Sequence, residues 1–149
     1  MKISPIIAVI ALLVFGASHF LPAYHDYTGF RCEEMCWGLL CKEPIKSPYY
    51  SAFALTNLAF VVLAALSFTR AGGGVFNRIL ATLMLVHVLS WFAMNAYSFA
   101  SSSQREWGIQ IGYYLWALAY GLLLWACFEK KREPNQPPEP TAPSGRGSA

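Results

Sequence analysis

The stretch ILATLMLVHVLSWFAMNAYSFASSSQ, Ile79 to Gln104, contains no Asp, Glu, Lys or Arg. A helix rises about 1.5 Å per residue and a bilayer's hydrocarbon core is about 30 Å thick, so roughly 20 such residues suffice to cross it. A surface helix of a soluble domain would show a charged face every turn or so. This stretch shows none. Ile3 to His25, Ser47 to Thr69 and Trp107 to Phe128 repeat the pattern. Four uncharged windows of spanning length predict an all-α membrane protein, an antiparallel four-helix transmembrane bundle.

Composition agrees with that reading. The 149 residues are 56% hydrophobic and 13% charged, whereas soluble domains carry about 25% charge. The net charge of +3 is too small, and sits too close to the window borders, to favour nucleic acid as a partner. Lys2, Arg70, Arg78, Lys130, Lys131, Arg132 and Arg146 fall on one side of the windows, and Arg31, Lys42, Lys46 and Arg105 on the other, where most of the acids lie. Basic residues accumulate on the cytoplasmic side. Both termini are therefore expected in the cytoplasm of a bacterial inner-membrane protein, with the segment after window one outside. Met1-Lys2, the apolar run Ile6 to Phe15 and the small residues Gly16, Ala17 and Ser18 also fit a cleavable signal peptide. The uncharged run continues through Phe20-Leu21-Pro22-Ala23-Tyr24, which favours an uncleaved span. The loop lies outside on either reading.

Spans are expected at about 3–22, 49–69, 79–100 and 107–128, within a domain of residues 1–132. Pro22 ends the first, because a proline beyond the first turn removes a backbone hydrogen bond that lipid cannot replace. Pro48 suits the entrance of the second. Residues 71–74 read as a flexible turn, and the Pro-rich tail 133–149 lacks the apolar content to bury a core and reads as a disordered cytoplasmic tail. In the last window Gly108 with Gly112, and Ala117 with Gly121, stand four apart, which predicts close backbone approach to a neighbour.

Inside window three, His87, Trp91, Met94 and Ser98 share an arc at about 100° per residue, flanked by Ser90 and Asn95. This polar face is expected to point into the bundle, with Asn57 and the tyrosines of the last helix as partners. His19 is placed with His25 and Asp26 at the outer mouth. The arrangement suits a ligand pocket or proton relay, or simply hydrogen bonds joining helices. The second is favoured because the windows contain no acid.

The outer loop carries RCEEMCWGLLC, Arg31 to Cys41, with three of the four cysteines. Cys32, Met35, Cys36, Leu39 and Leu40 recur at helical spacing while Arg31, Glu33, Glu34 and Lys42 avoid that stripe. A short amphipathic helix is predicted, with Cys32 and Cys36 facing one way and Cys41 opposite, unless the chain breaks at Gly38. The three remain candidates for a disulfide or a reactive thiol. A structural zinc site needs a second ligand pair, and thiol oxidoreductases favour Cys-x-x-Cys. Neither is present, so no metal and no cofactor is expected. Membrane disulfide-exchange enzymes share the four-helix outline but carry a second outer cysteine pair that this chain lacks.

Leu21-Pro22-Ala23, Gly29-Phe30-Arg31-Cys32, Trp37-Gly38-Leu39-Leu40, Phe53-Ala54-Leu55-Thr56-Asn57-Leu58 and Gly112-Tyr113-Tyr114-Leu115-Trp116 together resemble a set of small, uncharacterised bacterial four-helix integral membrane proteins. The resemblance covers roughly Leu21 to Phe128. It implies the fold and the membrane location, and carries no activity or catalytic residue with it. The expected function is non-catalytic: a binding or accessory membrane protein whose surroundings are the lipid bilayer and a second copy or partner membrane protein. The alternatives are a thiol-based redox or sensing protein using the outer cysteines, and a small transporter or its accessory subunit using the polar face of helix three.

Overall fold

Four apolar stretches and one amphipathic one, bounded by proline, glycine and charge, fold into five helices among the described residues, seen in a computed structural model that describes residues 5–69, 74–101 and 108–128. Helix α1 spans Pro5–Phe20, α2 Gly29–Lys42, α3 Pro48–Leu66, α4 Val75–Ser101 and α5 Ile111–Phe128. Three of them, α3, α4 and α5, are long and apolar enough to cross a membrane. Helix α1 is as apolar, but its 16 residues give about 24 Å of helix. The readings for Lys2, Arg70, the 71–73 part of the turn, Arg105, Trp107 and the 133–149 tail fall outside the described residues.

Between α1 and α2 the chain forms a hairpin of short strands that periodicity did not foreshadow, β1 (Pro22–Tyr24) and β2 (Tyr27–Thr28). Its turn places His25 at φ 48°, in the left-handed region that histidine enters more readily than most side chains. The segment before α5 pairs with this hairpin: His25 N–H donates to the Gly108 carbonyl at 2.6 Å and Gln110 N–H to the Ala23 carbonyl at 3.0 Å. Residues 108–110 are thus extended, and α5 begins at Ile111 rather than near Trp107. Thr28 caps α2, its Oγ1 accepting from the Arg31 N–H.

Helix α1 packs most extensively on α5. Ala8, Ala11, Ala119 and Ala126 are fully buried, and such small side chains let two helix backbones approach closely. Across from them, Phe15 stacks on Phe60 with ring centroids 4.3 Å apart, and Phe60 meets Tyr120 at 4.7 Å. Outside this core, apolar side chains such as Leu13, Leu55, Leu83, Val86 and Leu118 are half or more exposed. An apolar surface on this scale is costly in water and suited to lipid.

Two glycines set the geometry at one end of the bundle. A Cβ on Gly29 would lie 2.6 Å from the Ser18 carbonyl oxygen, and one on Gly112 would lie 2.7 Å from that of Pro22. The starts of α2 and α5 therefore both press against the end of α1. The second small-residue pair behaves otherwise, because a Cβ at Gly121 would meet nothing within 4 Å. Gly29→Ala and Gly112→Ala are each expected to destabilise the fold by about 1–3 kcal/mol through overpacking against backbone, whereas Gly121→Ala leaves it unchanged or firmer. Thermal unfolding of the three variants in detergent checks this, and equal melting temperatures for all three would contradict the packing described.

Candidate functional site

Helix α2 is amphipathic, and it lies back against α1 and α3. The helix runs unbroken through Gly38, so Cys32 and Cys36 face the bundle while Cys41 is exposed. All four cysteines are free thiols. Glu33, which the charge pattern assigned to the polar side of α2, turns inward beside Cys32.

Glu33 meets His19 at the last turn of α1, with Oε2 2.6 Å from Nε2. Nδ1 of His19 lies 2.7 Å from the Phe15 carbonyl oxygen. That oxygen has no proton to give, so Nδ1 must donate. The short contact on Nε2 then needs a proton between nitrogen and carboxylate, and with that proton on the more basic imidazole the pair is an imidazolium and a carboxylate. The other carboxylate oxygen accepts from Trp37 Nε1–H at 3.2 Å. Its hydrogen bond to His19 holds the Glu33 carboxyl below the usual carboxylate range, against the opposing effect of burial, with Trp37 and the Asn57 amide adding in the same direction. What a depressed carboxyl contributes to stability is present above its unfolded titration range and is lost as the pH falls through the folded value.

Asn57, buried in α3, completes the polar cluster. Its Oδ1 accepts from Tyr120 Oη at 2.8 Å and from Trp116 Nε1 at 3.1 Å, which leaves the amide nitrogen as the donor toward Glu33. Hydrogen bonds thus link α1 to α2 through His19 and Glu33, and α3 to α5 through Asn57, whose amide faces Glu33.

Above this cluster lies a cavity of about 320 Å³. Its walls are Tyr24, Tyr50, Phe53, Trp91, Tyr113 and Trp116, with the sulfurs of Cys32, Met35 and Cys36 along α2. The rings meet at corners: Trp91 stands at 76° to Tyr50 and at 61° to Tyr24, and Phe53 lies 5.5 Å from Trp116. His19, Glu33 and Asn57 form the polar end.

The predicted polar face of helix three divides. Trp91 lines the cavity, and Ser90 pairs with Tyr49 across a 2.7 Å hydrogen bond. His87 packs on Phe53 at 4.2 Å, its Nε2 buried without a hydrogen-bond partner among the described residues. Asn95 is turned to its own helix, donating to the Trp91 carbonyl at 2.9 Å. Met94 and Ser98 lie on an exposed part of α4. Helix α4 is therefore a wall of the site rather than its centre, and Asn57 is engaged by α5. Of the residues placed at the outer mouth, His19 bonds to Glu33 while His25 packs edge-on against Tyr24. Glu33 is the residue that the sequence reading missed. Its position one residue after Cys32, on the same turn of a helix bearing an apolar stripe, was the available signal.

Burial pushes the Cys36 thiol up to about 11, with the neighbouring Cys32 and Glu33 adding to it, and raises Cys32 as well. The thiolate is the reactive form, so the two inward cysteines are held inert. The chain matches no family model, no curated protein and no solved structure. A maleimide at pH 8 is expected to modify exposed Cys41 first and Cys36 on the order of a hundredfold more slowly. Mass mapping of the labelled peptides checks this, and equal rates at the two thiols would contradict the burial of Cys36.

Proposed function

We propose that this chain is a four-helix integral membrane protein that binds a small apolar molecule in the cavity beneath α2, as a binding or accessory protein and not as a catalyst. The observation that carries the reading is the cavity, whose volume falls at the lower end of ligand pockets, about 300–1,000 Å³, with mostly apolar walls and few polar groups. Those polar groups are engaged with one another, so a ligand is held by its apolar body. The neutral thiols argue against the redox alternative. The charge pattern supports α1 as a fourth span, shorter than the others, with both termini cytoplasmic and α2 outside a bacterial inner membrane. The resemblance to small bacterial four-helix membrane proteins supports the same placement.

A cavity evolved for a ligand retains it through mild purification. Extraction of the detergent-purified protein is expected to release about one small organic molecule per chain, and Leu39→Trp, which fills the cavity from α2, is expected to lack it. Quantitative mass spectrometry of the extract decides the point. Equal content in the two proteins would contradict the site, and chemical turnover that depends on His87 or on the outer cysteines would replace binding with catalysis.

A further inference from the structure

The cavity lining is richer in rings and sulfur-bearing side chains than the packed core. Aromatic residues make up 15% of the chain, yet six rings line this one space, and among the described residues only Ala23 and Leu39 add aliphatic side chains to it. The remaining apolar side chains of the lining are the sulfur-bearing Cys32, Met35 and Cys36. The other half of the bundle packs small and branched side chains, Ala8, Ala11, Leu63, Leu123 and Ala126, around Phe15, Phe60 and Tyr120. Rings and sulfurs share a property that aliphatic groups lack. They are polarisable, and they favour contact with the edge or face of another π system beyond what buried area alone gives.

We propose that the cavity selects a planar, fused two-ring aromatic molecule over a saturated hydrocarbon of the same size, an inference that rests on the binding reading above. Size follows from the volume. An apolar cavity of about 150 Å³ takes one benzene, and this one is roughly twice as large at about 320 Å³. Walls that meet at large angles leave ring faces and edges available to different sides of one flat ligand, which suits edge-to-face contacts better than the packing of a flexible chain. Cys32 and Cys36, one turn apart on α2, bring sulfur to one wall while Trp91, Phe53 and Trp116 supply rings on others. With the Glu33 carboxylate bonded to His19 and Trp37, and Asn57 bonded to Trp116 and Tyr120, recognition falls to this polarisable lining.

The test compares naphthalene with decalin, its saturated counterpart, at equal free aqueous concentrations against the full chain in lipid nanodiscs with ¹⁵N-labelled tryptophan. The indole N–H signals of Trp116 and Trp37, bonded to Asn57 and Glu33, report on the site, and exposed Trp125 at the far end of α5 is the control. Naphthalene is expected to shift the two reporters saturably and to bind about fivefold or more tightly than decalin. In Trp91→Leu and Phe53→Leu decalin still binds and the preference falls toward unity. Equal or tighter binding of decalin to the native chain overturns the aromatic preference and leaves the binding function standing. A preference that survives in both variants overturns the assignment to these rings. Saturable shifts from neither compound overturn both.

Discussion

Glu33 joins the parts of this structure that sequence distance separates. Its carboxylate takes a proton-bearing nitrogen of His19 from α1 and the Trp37 indole from its own helix, and it faces Asn57 of α3, which in turn holds Trp116 and Tyr120 of α5. A carboxylate turned toward a helical membrane domain is costly unless it is paired and hydrogen-bonded. Here every oxygen has a partner. The same pairing fastens α2, the roof of the cavity, to the end of α1, beside the packing of α2 on α3.

The backbone makes room for that charge. The end of α1 receives the starts of α2 and α5 at Gly29 and Gly112, with no space for a side chain at either. The hairpin of residues 22–28 and the extended segment 108–110 tie the same end together through main-chain hydrogen bonds. One half of the molecule is thereby a packed core of small and branched side chains around Phe15, Phe60 and Tyr120. The other half is held open, with aromatic rings at its edges. The cavity follows from this contrast more than from any single residue.

The helices were legible because lipid imposes a simple rule on sequence, namely long runs without charge, and Ile79 to Gln104 obeys it. The amphipathic α2 was legible from the spacing of Cys32, Cys36 and Leu39, and the role of Asn57 in joining helices from its isolation in an apolar run. The hairpin was not, since strands of two and three residues are too short to show a period and depend on pairing with residues 108–110, far along the chain. Glu33 was misplaced for a related reason. Helical angle alone puts it at the edge of the apolar stripe, and only the position of His19 in the folded molecule decides that the edge turns inward. For α4 the angle grouped residues that exposure separates: His87 and Trp91 are half-buried against Phe53, while Met94 and Ser98 are exposed.

The protonation of His19 tests the central claim most directly, because an imidazolium at this site requires the Glu33 carboxylate beside it and therefore α2 folded onto the bundle. In ¹⁵N spectra of selectively labelled histidine at pH 7 in lipid, both ring nitrogens of His19 are predicted to carry protons, and Glu33→Gln to return the ring to a single neutral tautomer. A neutral His19 in the native protein, unchanged by Glu33→Gln, would contradict the pairing and with it the roof of the cavity.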